Sequence, residues 1–449
     1  MKSIRRIFIA NRGEIALRVI RTCRRLGIET VLGVSTVDRD SLPARQAGRA
    51  LCLGPGRPAD SYLKVEAVVH AARASGCDAI HPGYGFLSER PALARLCEQD
   101  GVILIGPTAA QLEAVGDKLQ ARAHALAAAV PVVPGGPAAT VGEALALARQ
   151  IGAPLLVKAV GGGGGRGMKK VLDLGELPAA LALAAAEAGA AFGDARVYLE
   201  RLVGQARHVE VQVLGDGAGD VLQLGERDCS VQRRYQKLIE ETPAPGLSPG
   251  LRSQLHEAAL RFARHLRYRG AGTVEFLVDV ERDAFYFLEM NARIQVEHPV
   301  TEAVTGVDLV AEQIRIAAGQ GFSAEAVAAQ RGPRGCAIQC RVNAEDPAQD
   351  FRPSPGVVTD VRWHEGPGIR VDTHIERGSA VPPFYDSLLG KVIALGDDRP
   401  TALARLRQAI AATRVTGVAS NLAFHARVLA DARFAAGGVD TGFVESLNG

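Results

Sequence analysis

No two cysteines in this sequence have the Cys-x-x-Cys spacing of a zinc or redox site. The seven cysteines stand at positions 23, 52, 77, 97, 229, 336 and 340, an odd number whose closest members lie in a strand-like run. They read as core residues in a reducing compartment, with neither a disulfide framework nor a zinc site. A signal or transit peptide is lacking too. Lys2, Arg5 and Arg6 lead straight into Ile7-Phe8-Ile9-Ala10, with no long apolar core and no cleavage site. No apolar run has membrane-spanning length, so a cytoplasmic protein without a membrane partner is expected. An excess of one charge is also missing: 52 Lys+Arg against 49 Asp+Glu leave a net +3, spread along the chain. That balance gives no electrostatic footprint for nucleic acid. There is no internal repeat, and aromatics make up only 5% of residues. What remains, 47% hydrophobic and 22% charged over 449 residues, is a globular composition with room for two to four domains.

Two glycine fingerprints are absent as well. Residues 4–10 read as a buried strand, 15–26 as a helix and 30–35 as a second strand, a βαβ start that implies a parallel, Rossmann-like sheet. Gly13 stands alone where a dinucleotide site needs G-x-G-x-x-G, which removes the main support for an NAD enzyme. A helix over 62–75 and strands near 78–80 and 102–105 continue the pattern. His81-Pro82-Gly83-Tyr84-Gly85-Phe86-Leu87-Ser88-Glu89 follows a strand at the sheet end where open α/β folds place ligands. A structural turn accounts for its glycines but leaves Tyr84 and Glu89 unexplained.

A helix over 108–130 carries Gly116-Asp117-Lys118, and the Pro/Gly-rich stretch 131–137 marks a boundary. Beyond it come a helix over 141–151 and an apolar strand over 154–159 that contains Lys158, a residue that needs a partner there. The run 161–167 is almost pure glycine. It is not a Walker A loop, because no G-K-[ST] follows and no helix starts. Clamped between strands at 154–159 and 168–172, it reads as a loop whose N–H groups can approach phosphates. After an Ala-rich helix over 176–191, strands are expected at 197–200, 207–213 and 221–224. His208 taken singly reads as a sheet histidine. Residues 226–237 concentrate charge, either as a solvated loop or with Lys237 as one anion-binding candidate. Helices follow over 249–266, 306–318, 401–412 and 420–431, with strands between 336 and 400.

The stretch 285–302 organises the rest. Glu289, Asn291, Arg293, Gln295 and Glu297 alternate with Leu288, Met290, Ala292, Ile294 and Val296, so an extended chain puts five polar groups on one face. A hairpin with Val280 opposite Ala284 sets Glu275 opposite Glu289. Facing carboxylates are destabilising unless a cation bridges them. Glu275, Glu289 and Asn291 offer the hard oxygens that Mg²⁺ or Mn²⁺ takes.

Taken together, IANRGEIALRVIR, HPGYGFLSE, GDK, KAVGGGGGRGM, RHVEVQV, ERDCSVQRRYQK, EMNARIQVEHPVTE, CRVNAED, PSPG and PPFYDS resemble the biotin carboxylase family of ATP-grasp enzymes, in family order along essentially the whole chain. The resemblance implies an α/β and α+β architecture. A Rossmann-like N-terminal domain would occupy 1–114, and the first ATP-grasp part 115–203, with a lid over about 131–203. The second ATP-grasp part, 204–330, would hold metal and bicarbonate, and a mixed α/β domain would fill 331–449. It implies ATP- and bicarbonate-dependent carboxylation of biotin on a separate carrier protein, through carboxyphosphate. That is the first half-reaction of an acyl-CoA carboxylase, with acetyl-CoA in fatty acid synthesis as the expected acceptor. Another acyl-CoA or ketoacid carboxylase, or another ATP-grasp carboxylate ligase, is the alternative. Biotin carboxyl carrier protein, carboxyltransferase subunits and a second copy of the chain are the implied partners.

Residue by residue, the resemblance assigns ATP contacts to Lys118, Lys158, Gly164, Gly165, Glu200, Arg201, Leu202, Val203, His208, Gln232 and Tyr235. Glu275, Glu289 and Asn291 match the Mg²⁺ or Mn²⁺ ligands. Lys237, Arg293, Gln295 and Val296 match the bicarbonate pocket, Glu297 the general base, and Arg341 the group facing the biotin ureido oxygen. Tyr84 and Asp386 match positions near biotin. The family usually has histidine where this chain has Tyr235, a departure that touches nucleotide affinity. A non-catalytic nucleotide-binding protein fits poorly with Lys237, Arg293, Glu297 and Arg341 all present.

The resemblance also yields a prediction about biotin itself. Carriers attach biotin to lysine in an exposed Met-Lys-Met turn, whereas Met168-Lys169 directly follows the glycine run and begins a lid strand. Purified chain made with active biotin ligase should therefore show no added biotin by intact mass or streptavidin blot. Stoichiometric biotinylation would contradict this.

Overall fold

The structure, a computed structural model, describes residues 3–161 and 168–447. The first sheet follows from short strands that are apolar on both faces, the signature of a parallel sheet covered by helices. Its order is Arg49–Gly54, Glu29–Ser35, Arg6–Ile9, Ala79–His81 and Ile103–Leu104, all parallel. Ile7 and Ile9 pack with Ile15, Val19 and Cys23 of the helix Gly13–Arg25. Phe8 and Ile80 pack on the other side with Val68, Val69, Leu93 and Cys97 from the helices Val65–Ala74 and Pro91–Asp100. Strand order reverses at Arg6–Ile9, so the loops after this strand and after Ala79–His81 diverge and open a crevice.

A small antiparallel sheet follows, ordered Gly135–Pro137, Val197–Arg201, Leu155–Ala159 and Lys169–Val171. The helices Val141–Ile151 and Leu177–Phe192 cover it through Ala144, Ala148, Leu177, Leu181 and Ala184. Against the expectation of no such stretch, Leu174–Ala191 is 18 residues long with mean hydropathy 1.2, which satisfies the length and composition of a membrane span. Its apolarity is mostly alanine, it contains Glu176 and Glu187, and Leu177 and Leu181 pack on the small sheet. Gly164 and Gly165 lie outside the described residues.

The third sheet has eight antiparallel strands: Ala284–Asn291, Arg269–Asp279, Ala206–Asp216, Val221–Arg233, Gln236–Thr242, Cys336–Asn343, Leu388–Gly396 and Ile369–Thr373. It runs without a break across the segments 204–330 and 331–449. At its far end Leu403, Leu406, Val428 and Leu429 of the helices Arg399–Ala412 and Leu422–Ala430 build a separate core.

Four expectations change. Residues 226–237 are not a solvated loop: the strand Val221–Arg233 passes through them, turns at Arg234 and Tyr235 with φ of 47° and 67°, and returns. Arg227, Asp228 and Lys237 find buried partners there, Glu226 pairs with Arg252 and His256 of the helix Pro249–His265, and Arg233 and Arg234 meet Asp350 at the surface, pairings that polarity read along the sequence cannot reveal. The helix expected over 108–130 is two, Ala109–Gly116 and Lys118–Ala127. Asp117 breaks it by accepting from the N–H groups of Leu119 and Gln120, which puts Lys118 at the start of a helix. The extended stretch ends at Asn291; residues 292–297 are irregular and enter an unforeseen helix, His298–Thr305, with Pro299 in its first turn.

The fourth change concerns the hairpin. Glu275 does face Glu289, but the turn pairs Asp279, not Val280, with Ala284. A bulge restores the alignment: Phe276 pairs with Phe287 and Glu275 with Glu289, leaving Leu288 as the extra residue. Aromatic contacts pin that register, with Phe287 4.7 Å from Phe262 and Phe276 edge-on to Phe285 at 5.4 Å. Phe287→Ala should cost about 3–5 kcal/mol of stability. A lower denaturant midpoint at unchanged m-value would show it.

Candidate active site

A cavity of about 1100 Å³ lies where the three sheets meet. The crevice of the first sheet contributes Asn11 to Glu14 and Tyr84 to Phe86, the small sheet contributes Lys158 and Glu200, and the large sheet contributes most of the rest. Every described residue that the resemblance assigns to the site lines this one space, from Lys118, Lys158, the segment 200–203, His208, Gln232, Tyr235 and Lys237 to Glu275, Glu289, Asn291, Arg293, Gln295, Val296, Glu297, Arg341, Tyr84 and Asp386; Glu89, singled out with Tyr84, does not line it. Residues far apart in the chain meet there because antiparallel neighbours bring distant strands together.

At the small-sheet end, Lys158 is buried and donates to Glu200 Oε2 at 3.0 Å. Burial works against its charge, yet Glu200 and Tyr198 outweigh it and hold the ammonium above the ordinary lysine range. Lys118 differs: burial prevails over Glu289 and lowers it. Tyr235 lines the mouth, half exposed, at the tip of its hairpin.

At the other end stands one ammonium among three carboxylates. Lys237 Nζ contacts Glu210 Oε2 at 2.5 Å, Glu275 Oε1 at 2.8 Å and Glu297 Oε1 at 2.8 Å. Arg341 holds Glu240 Oε1 at 2.5 Å and Glu297 Oε2 at 2.9 Å. Burial alone would raise the Glu297 carboxyl, but Lys237, Arg341 and Arg227 hold it far below the usual carboxylate range. Glu275 is likewise lowered despite burial, by Lys237 and His208, whose Nε2 lies 2.8 Å from Glu275 Oε2. Asn291 and Gln295 both donate to Glu275 Oε1 at 2.7 Å. Arg293 links Asn291 Oδ1 at 2.6 Å to Glu89 Oε2 at 2.8 Å, and Tyr84 donates to Glu14 Oε2 at 2.9 Å. Glu89 and Tyr84, left unexplained by a turn, thus have partners.

The donor set of Glu275, Glu289 and Asn291 fits a hard divalent cation. Glu289 is raised by burial first and by the facing Glu275 second, so the pair is under-neutralised on that side. Among the described residues, two other groupings, His208 with Glu210 and Glu275, and Glu210 with Cys229 and Glu297, bring ligand atoms within 4.8 Å of one another. Both contain Glu210 and at least one other carboxylate that Lys237 already binds, so a cation is present there in the form of an ammonium.

Sequence reading missed Glu210, Arg227 and Glu240. Arg227 is wholly buried, binds Glu210 Oε1 at 2.6 Å and donates to Gln295 Oε1 at 2.9 Å. A signal existed: His208, Glu210 and Gln212 alternate with valines and share a strand face. Glu240 and Arg341 sit on neighbouring strands, and nothing in the sequence pairs those strands.

Comparison with known proteins matches residues 3–112 to the family described as biotin carboxylase, N-terminal domain, and 339–446 to biotin carboxylase C-terminal domain. Residues 117–325 match the carbamoyl-phosphate synthase L chain, ATP binding domain. A biotin carboxylase of Nostoc sp. is 48% identical, with 99% of each chain covered. A pyruvate carboxylase subunit of Methanothermobacter thermautotrophicus is 44% identical over 98% of this chain and 89% of that protein. A solved structure of the biotin carboxylase domain dimer of Hydrogenobacter thermophilus 2-oxoglutarate carboxylase, in complex with MgADP, ADP and bicarbonate, superposes with a TM-score of 0.96 at 41% identity, covering 100% of this chain and 98% of that one.

The carboxylate cluster yields a pH-dependent prediction. Lys237→Met leaves Glu210, Glu275 and Glu297 short of a buried counter-charge and should cost about 3–5 kcal/mol near pH 7.5. Because protonation relieves carboxylates whose pKa has risen, the deficit should shrink toward pH 5. Denaturant melts of both proteins across that range test it; an equal deficit at both ends would contradict the electrostatic account.

Proposed function

The chain belongs to the biotin carboxylase family of ATP-dependent ligases, and we propose that its cavity carboxylates biotin borne on a separate carrier protein, using ATP and bicarbonate through carboxyphosphate. Its fold is the ATP-grasp fold with a Rossmann-like N-terminal unit, a lid and a mixed C-terminal unit, which we divide functionally at 114, 203 and 330. One observation carries the proposal: Lys237, Arg293, Glu297 and Arg341 converge in the same cavity as Lys118 and Lys158.

Phosphoryl transfer needs alignment and charge neutralisation more than covalent help. Lys118 and Lys158 meet the phosphates at the lid end, and Glu275, Glu289 and Asn291 hold Mg²⁺ or Mn²⁺, which neutralises charge between phosphate oxygens when bound. The Hydrogenobacter relative binds magnesium, ADP and bicarbonate, and the same set serves here. Lys237 and Arg293 hold the bicarbonate oxygens, Arg293 through its planar fork, with Gln295 and Val296 walling the pocket. Glu297 takes the bicarbonate proton. With Lys237 and Arg341 clamped on it, Glu297 is a weak base; an arriving anion competes for those cations and so releases basicity where it is needed. The bicarbonate oxygen then attacks the γ-phosphorus of ATP and ADP departs, and the carboxyphosphate so formed breaks its C–O bond to give CO₂ and phosphate within the cavity. Arg341 meets the negative charge on the ureido oxygen of biotin as N1′ loses its proton to phosphate.

Acetyl-CoA is the acceptor we assign, with a carboxyltransferase completing the reaction. Relatives named for pyruvate and 2-oxoglutarate carboxylases match nearly the whole chain too, at 44% and 41% identity, which supports a choice of acceptor made by the carboxyltransferase partner. We also assign a homodimer, as in the Hydrogenobacter domain, and the cytoplasm, where seven free thiols are compatible with the redox state.

Arg341→Ala separates the steps. Biotin carboxylation should fall about a hundredfold or more, while bicarbonate-dependent ADP release falls far less. Equal loss of both activities would refute this division of labour. Absence of bicarbonate-dependent ADP release from the unmodified protein would refute the function itself.

A further inference from the structure

Lys391, on the strand Leu388–Gly396, is wholly buried, and the mechanism above does not use it. Burying an ammonium carries a large desolvation penalty unless charge and hydrogen bonds replace its water. Three groups do so here. Glu14 Oε2 lies 3.0 Å from Nζ, Asp372 Oδ2 lies 3.9 Å away, and the main-chain carbonyl of Val296 accepts at 3.0 Å. Asp372 already has a two-bond partner in Arg370, at 2.9 and 2.7 Å. Glu14 also accepts from Tyr84, so the same ammonium steadies the first sheet's contribution to the cavity.

The bond to Val296 matters because of where that residue sits. Residues 292–297 belong to no helix or strand, so no backbone ladder holds them. Apart from the carbonyls of Gln295 and Glu297, which accept from His298 and Val300 of the next helix, their position depends on side-chain ties, and two of these come from one row of the large sheet. Lys391 pairs in register with Arg341 on one neighbouring strand and with Asp372 on the other. Arg341 grips the Glu297 carboxylate at 2.9 Å, and beside it Lys391 grips the carbonyl of the preceding residue.

We infer that Lys391 is a positioning residue that sets the main chain at 296–297, and through it the bicarbonate pocket and the Glu297 carboxylate. The inference rests on reading Val296 and Glu297 as part of that pocket. It is a role in geometry, because an apolar residue of similar volume with a neutralised partner can serve folding equally well.

The test uses the full chain. Lys391→Met, Lys391→Arg and the double variant Glu14→Gln/Lys391→Met are assayed for bicarbonate-dependent ADP release alongside thermal melts. The double variant removes both buried charges, so that an orphaned carboxylate does not decide folding. Loss of one charge-assisted bond should raise the KM for bicarbonate about tenfold in both methionine variants. The KM for MgATP should change by less than about twofold, and Lys391→Arg should recover most of the loss. An unchanged bicarbonate KM in folded methionine variants overturns the inference, as does an equal rise in both KM values. Failure of both methionine variants to fold also overturns it, since Lys391 would then serve stability alone. If the unmodified protein itself lacks bicarbonate dependence, the reading of the pocket fails, and not merely the role of Lys391.

Discussion

The cavity depends on the ammonium of Lys237, set among Glu210, Glu275 and Glu297. Each carboxylate comes from a different part of the chain: two strands of the large sheet and the irregular turn after a third. Without a shared cation, three buried negative charges at this spacing would repel one another and draw protons. With it, each carboxylate has a fixed orientation, and the second oxygens are free for Arg227, His208 and Arg341. The site is therefore a lattice of shared charges in which few groups have one partner only.

Such a lattice is costly to bury and contributes little to stability by itself. The folding energy comes from the apolar clusters on either side of it, above all the valines and phenylalanines of strands Ala206–Asp216 and Arg269–Asp279 against the helix Pro249–His265. The sheet's polar face is left for chemistry. The same division recurs along each strand: Val209 and Val211 face the core, while His208 lines the cavity and Glu210 reaches its lysine.

The hinge between scaffold and chemistry is the turn 292–297. Ala292 and Ile294 anchor it in the apolar interior, while Arg293, Gln295 and Glu297 reach the cavity without strand geometry. The alternation seen in the sequence survives, although the secondary structure it implies does not. Alternating burial is required by any chain that separates core from cavity, whatever hydrogen bonds its backbone makes.

The sequence by itself determined the parallel first sheet, the facing carboxylates Glu275 and Glu289, and the polar face from Glu289 to Glu297, because periodicity and local charge are properties of neighbouring residues. The order of its motifs also determined the family. Tertiary structure alone decided that Leu288 bulges, so that the glutamates pair although the turn is one residue out of the expected register. It alone decided that 226–233 is a strand, and that Glu210, Arg227, Glu240 and Lys391 belong to the site. Those four are buried charges, and periodicity can at most place such a charge on a face, as it does Glu210; what the charge does follows only from its partner. The partners lie up to 377 positions away, as Glu14 does from Lys391, and meet only when the sheets do.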